Sequence, residues 1–190
     1  MEYKDQTKGQ LINELKELRE RLSGLEETTD EPTGLYNKEY FLDLAECEFI
    51  RSRRFQRPLS VILVSIKDFE KIKSEYDEQV VTEILIQVAD RCKLRIRDLD
   101  YFGRYDENKF ILLLPEADKS AIQKVAERLC TAVIDSPITI ESKELHNITL
   151  CLGGVEIAET YTSLEEFLNK AEEALISAEQ EGGDSHIVIR

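Results

Sequence analysis

Four cysteines (Cys47, Cys92, Cys130, Cys151) and two histidines (His146, His186) are the residues whose types could hold a soft metal. A thiolate–imidazole zinc site takes its ligands at short fixed spacings, typically two cysteines separated by two residues. These six are scattered along the chain without such a pair. Their spacing therefore assigns no metal, and the expectation is buried free thiols in a reducing cytoplasm. The other chemically dense stretch is RIRDLDYFGRYDENKF, Arg95–Phe110, in which charged residues interrupt two short apolar runs. Read by itself, its YDENKF portion is an ordinary hairpin loop, with Asn108 in the left-handed conformation that Asn tolerates.

The elements that must position these residues follow from apolar periodicity. Leu11, Leu15, Leu18, Leu22 and Leu25 recur at spacings of four and three, the seam of a coiled coil, with charged flanks such as Glu17 and Arg21. Residues 1–29 are read as a dimerising helix, the alternative being a helix that packs along its own domain. Gly24 and EETTDEP (Glu26–Pro32) break the pattern, and residues 30–190 form the main domain. A helix over Lys38–Phe55 precedes LSVILVSI (Leu59–Ile66), an apolar run that reads as a central strand covered on both faces. A short helical pattern from Phe69 and a longer helix over Val80–Ile96 come next. Strands over Tyr101–Tyr105 and Lys109–Leu114 flank the polar turn. A helix over Lys119–Ile134, a strand within His146–Ile157, a helix over Ser163–Gln180 with a capping-box start, and a final strand HIVIR complete the order. The class is α+β, a mixed central sheet with helices stacked on it.

The 190 residues carry 25 basic and 39 acidic side chains, a formal charge of −14 and a pI near 4.7. Such a field repels phosphate polymers and anionic bilayers, so general nucleic-acid and membrane-surface binding are excluded. A small nucleotide in a local basic pocket is not. No apolar run approaches the ~20 residues that span a bilayer, and MEYKDQTKGQ lacks the apolar core of a secretory signal.

The segment DEPTGLYNKEYF (Asp30–Phe41) resembles the opening signature of diguanylate cyclase, or GGDEF, domains, usually written DxLTGLxNRRxF. PLSVILVSIKDFEKI is similar to the family's first strand and following helix, and RYDENKFILLLP stands where the family has RYGGDEFxxLLP. AERLC, ITLCLGGV and AEEALISAEQEGG match three further blocks in order. The resemblance implies a nucleotidyl-cyclase-like fold with a ferredoxin-like core over residues 30–190. It also implies a family chemistry in which two GTP molecules become cyclic di-GMP, with Mg²⁺ held by hard carboxylates.

The positions that would carry that chemistry have changed. The family's strand Asp is Ser65, and the two acidic positions of the motif are Asn108 and Lys109. A hydroxyl, an amide and an ammonium do not replace carboxylates around Mg²⁺. Asp106 and Glu107 replace the paired glycines, adding side chains and negative charge where a triphosphate would lie. The guanine-reading positions fall on Lys73 and Thr82, and the phosphate-contacting ones near the last helix on Glu179 and Gly183. A one-residue slip that would offer Asp106 or Glu107 as ligands turns the KFILLL strand inside out. The expectation is a domain without cyclase activity, bound metal or cofactor.

A second family site survives in this reading. Many members bind their product at an RxxD motif five residues before the GGDEF turn, assisted by an Arg on the next helix. The matching residues are Arg97, Asp100 and Arg128, whereas Arg95–Asp98 is out of phase. Guanidinium forks suit guanine O6 and N7 or phosphate oxygens, and a carboxylate accepts from the guanine N1–H and N2–H edge. In so charged a chain RxxD also arises by chance, and Arg128 then is a solvated helix residue. The expectation is a cytoplasmic cyclic di-GMP receptor or adaptor, a homodimer through its N-terminal helix with a protein partner. The alternatives are an interaction module that binds no nucleotide and an active cyclase with atypical ligands.

Overall fold

All eight residues of LSVILVSI are buried, and they form strand β1 (Leu59–Ile66) at the middle of the sheet. In the computed structural model, the described residues are 28–135, 137–140, 143–145, 148–181 and 186–189. The N-terminal leucine seam and Gly183 lie outside them. Within the described residues the order is α1 (Lys38–Phe55), β1, α2 (Phe69–Glu75), α3 (Glu78–Lys93), β2 (Tyr101–Asp106), β3 (Lys109–Pro115), α4 (Lys119–Ile134), β4 (Ile138–Ile140), β5 (Lys143–Leu145), β6 (Leu150–Glu156), α5 (Leu164–Glu181) and β7 (His186–Ile189).

The five-stranded sheet runs β2-β3-β1-β6-β7, antiparallel except for the parallel β6–β7 pair. Strands β1, β2, β3 and β6 with α3 and α4 make the βαββαβ unit of a ferredoxin-like core. Alternation along the strands divides the core into two layers. Ile62, Val64 and Ile66 of β1, with Phe110, Leu112 and Leu114 of β3, face α3 and α4. Val61, Leu63, Ile111 and Leu113 face α1 and α5, where Phe41, Phe49 and Phe167 fill the space. Each fully buried apolar side chain contributes about 1.5–3 kcal/mol of transfer free energy, which is why a strand with two apolar faces sits in the middle.

Short polar side chains set the helix starts. Asn37, Asp77 and Asp118 each accept from a backbone N–H three residues on, at 2.8–2.9 Å. At α5 the expected capping box is displaced by one residue on its return side. The Ser163 hydroxyl accepts from Glu166 N at 3.2 Å, but the Glu166 carboxylate accepts from Thr162 N at 2.7 Å.

Three expectations need correction. Helix α3 ends at Lys93 rather than Ile96, because Leu94 caps it with no core to enter, while Ile96 returns to the core through the following turn. The β4–β5 hairpin was not expected, since three-residue strands carry no readable period; Gln87 ties it to α3 through Thr139 N and O. Cys92, Cys130 and Cys151 are buried, but Cys47 is exposed on the outer side of α1. Burial pushes the Cys92 thiol up to about 12, as expected of an inert thiol. No helix among the described residues is long and apolar enough to cross a membrane.

Candidate functional site

The hairpin between β2 and β3 stands at the end of the sheet where β1 finishes. Asp106 pairs with Lys109 across the turn, and the register shifts between Arg104 and Asp106, so Tyr105 is a bulge residue. Neither Glu107 nor Asn108 has a positive φ, which corrects the left-handed Asn108 of the sequence reading. The bulge takes up the twist that a left-handed turn residue would otherwise supply. Side chains also hold the turn: the Asp106 carboxylate accepts from Glu107 N at 2.8 Å, and Arg104 donates to the Glu107 carbonyl.

Arg104 itself is half-buried above the Phe110 ring, 4.9 Å from its centroid, and its Nη1 has no partner among the described residues. Burial lowers its pKa, opposed by the charges of Asp30, Asp106 and Glu107. Asp30 belongs to the DEPTG turn, where its carboxylate accepts from the Thr33 hydroxyl at 2.6 Å and Gly34 adopts φ 61°. Tyr36 then bridges to Gly103, and a Cβ at Gly103 would come within 2.8 Å of the Phe41 ring.

Two side-chain links stand beside this hairpin. Ser65, with no solvent exposure, donates from Oγ to Glu179 Oε1 of α5 at 2.7 Å. Lys73 of α2 places Nζ 2.6 Å from Glu107 Oε1 and 3.7 Å from Glu70 Oε1. The hydrogen bond to Glu107 is the largest cause of the raised Lys73 pKa. Thr82 is half-buried and donates to its own helix, at Glu78 O. The structure thus ties Ser65 to Glu179 and Lys73 to Glu107, sets Lys109 opposite Ser65 in the β1–β3 ladder beside the Asp106–Lys109 turn, and leaves Thr82 on a helix surface. No group of three or more His, Cys, Asp or Glu among the described residues could hold a metal ion.

The RxxD segment lies between α3 and β2. Arg97 and Asp100 close a turn on each other, with Asp100 N donating to Arg97 O at 3.0 Å and Arg97 N donating to Asp100 Oδ2 at 2.8 Å. Burial raises the Asp100 pKa, opposed by that N–H and by the charges of Arg97 and Arg128. Arg97 and Arg128 line one open groove of about 830 Å³, together with Arg95 and Lys124. The three expected residues are therefore neighbours. Arg95, out of phase in the motif, shares the groove all the same, because the chain turns back after α3. Lys124 was missed by sequence reasoning, although its place one helical turn before Arg128 on α4 was a usable signal.

The comparisons with known proteins agree with this architecture. The response regulator PleD of Caulobacter vibrioides is 28% identical over 155 residues, 81% of this chain and 34% of PleD. The chain thus spans about a third of the length of the curated relatives it matches first. The coiled coil and GGDEF domain of DgcB from Caulobacter crescentus, solved in complex with c-di-GMP, superposes with a TM-score of 0.84. It is 19% identical, with 96% of each chain covered, a likeness of fold. The diguanylate cyclase SiaD of Pseudomonas aeruginosa, solved with its activator SiaC, gives a TM-score of 0.81 at 23% identity, covering 96% of this chain and 70% of SiaD. The family model for the diguanylate cyclase GGDEF domain matches residues 27–185, and the chain belongs to that family.

Proposed function

We propose that this chain is a non-catalytic GGDEF domain that receives cyclic di-GMP at Arg97, Asp100 and Arg128. The observation that carries the reading is a contrast between two places. The side chains beside the hairpin are tied to one another, whereas the RxxD groove is open and sets four cationic side chains against the two carboxylates of Asp118 and Glu127.

Beside the hairpin, the donor set does not fit Mg²⁺. The hard oxygen ligands it requires would have to come from Ser65, Asn108 and Lys109. Ser65 already directs its hydroxyl proton at Glu179, and Lys109 carries a positive charge. Glu179 and Glu107 add negative charge where phosphates would sit, and Lys73 neutralises Glu107 instead of reading a base. No metal or cofactor is assigned.

In the groove, the guanidinium heads of Arg97 and Arg128 are placed to clasp phosphate or the guanine O6/N7 edge. The Asp100 carboxylate, held in place by Arg97 N–H, accepts from guanine N1–H and N2–H. The state of the site passes on through a dimer built by the N-terminal helix, or through a protein partner, in a reducing cytoplasm. DgcB with c-di-GMP and SiaD with SiaC are fold relatives that support a ligand and a protein partner respectively.

Calorimetric titration of the full chain with cyclic di-GMP tests this reading: saturable heat that Arg97→Ala removes is expected. Absence of heat leaves the interaction-module reading, which the exposed Leu94 and Leu99 favour. Incubation with GTP and Mg²⁺ should give no cyclic di-GMP above blank; dose-dependent product would overturn the non-catalytic assignment.

A further inference from the structure

The segment joining α3 to β2 carries apolar side chains that the fold does not use. Leu94 and Leu99 are 81% and 80% exposed, well beyond the other exposed large apolar residues described. They bracket Arg95 and Arg97, whose groove also takes Lys124 and Arg128. Among the described residues, none of these four cationic heads is engaged in a hydrogen bond or ion pair; Asp100 supplies only a longer-range field. With Asp118 and Glu127 also lining the groove, it keeps a net excess of two positive charges beside two bare leucines, in a chain of charge −14. Such a patch suits an acidic surface with an apolar residue in its middle.

The outer face of α5 is a surface of that kind. Ile176 is 50% exposed and lies within one turn of Glu172, Glu173 and Glu179, which keep their negative charge while accepting from Tyr105, Lys170 and Ser65 respectively, and Glu165 and Glu166 continue the acidic strip toward the helix start. Lys170 is the only cation of that helix. Helices α4 and α5 cover opposite faces of the sheet, so the two patches of one copy cannot meet each other.

We propose that the Leu94–Leu99 edge of one copy docks the α5 face of a second copy. Ile176 enters between the leucines, and the α5 glutamates lie over Arg95, Arg97, Lys124 and Arg128. The two patches differ, so the contact is heterologous: it leaves one of each unsatisfied and repeats with rising concentration. The covered cations include those assigned to cyclic di-GMP, so ligand and second copy exclude each other, an exclusion that rests on the proposed function.

Sedimentation velocity of the full chain at low ionic strength tests the docking. Wild-type protein should grow beyond its smallest species as concentration rises and shrink again in added salt. Leu94→Ser/Leu99→Ser and Ile176→Lys, all at exposed positions, should each weaken growth roughly tenfold with an unchanged melting temperature. Mixing the two variants should restore association, because one supplies an intact α5 face and the other an intact groove edge. Wild-type protein that does not grow, variants that grow like wild type, or a mixture that fails to associate would each overturn the docking. Cyclic di-GMP should dissolve the wild-type assembly. If the variants behave as expected but the ligand gives neither heat nor dissolution, the docking stands and the ligand reading fails. If ligand heat is intact but no assembly forms, the reverse holds.

Discussion

The Ser65 hydroxyl, at the end of the central strand, donates a 2.7 Å hydrogen bond to Glu179 Oε1 on α5. This bond ties β1 to the last long helix at the point where the family resemblance places a metal ligand and a phosphate contact. A buried hydroxyl needs a partner, and the carboxylate of Glu179, an exposed residue of α5, supplies one.

Ser65→Asp is expected to destabilise the domain, because it sets a second carboxylate against Glu179 at a position without solvent exposure. Uncompensated charge of this kind costs about 3–5 kcal/mol. For a domain of this size that lowers the melting midpoint by roughly 10 °C. Adding Glu179→Lys should recover most of the loss, without restoring cyclase activity, since the hairpin and Lys73 are unchanged. Scanning fluorimetry on the single and double variants measures both effects; an unshifted single variant would refute the pairing.

Arg97→Ala should weaken cyclic di-GMP binding at least tenfold, since charge-assisted hydrogen bonds contribute about 1.5–3 kcal/mol each. Arg128→Ala and Asp100→Asn should also weaken it. Arg95 shares the groove, so Arg95→Ala is expected to have a smaller loss of the same sign and is unsuitable as an inert control. Lys71→Ala, on the exposed side of α2 and outside both the groove and α5, serves that purpose. Calorimetry on these variants decides the ranking.

Binding should also weaken in acid. Asp100 accepts from both guanine N–H groups only when ionised, and burial raises its pKa above the ordinary 3.8. Affinity should therefore start to fall at a higher pH than for an exposed Asp, and Asp100→Asn should flatten the profile there. The same shift acts on stability with the opposite sign. The folded state binds this proton more readily than the unfolded chain, so the penalty from Asp100 is present above its folded pKa and is relieved as pH falls through it. Titrations at several acidic pH values, with parallel melting curves, separate the two effects.

Gly153→Ala should cost at least about 3 kcal/mol or prevent folding. A Cβ there would lie 2.2 Å from Leu175 N and 2.6 Å from Ala171 O, both backbone atoms of α5 that cannot give way. Gly103→Ala should be milder, because the atoms it meets belong to the Phe41 side chain. Urea denaturation of both variants checks the order.

Most of the fold was legible in the sequence, because period and length are local properties. LSVILVSI is apolar at nearly every position on both of its faces and could only be a central strand. The faces of α1 and α4 followed from i, i+3, i+4 spacing, and the phase of the RxxD motif was carried by family resemblance. What the sequence could not decide are outcomes of packing between distant segments. The partner of Ser65 lies 114 residues away, and the Lys73–Glu107 pair is separated by 34. Neither carboxylate is marked out locally from the chain's other acids. Arg95 enters the groove because α3 stops at Lys93 and the chain turns, a choice made by the lack of any core for Leu94. Asn108 could have taken the left-handed conformation by itself; the Tyr105 bulge and the Arg104 contact to Glu107 O settled its backbone instead. Local propensity specifies which elements form. Only tertiary packing specifies which charges meet, because that depends on distances that sequence spacing does not encode.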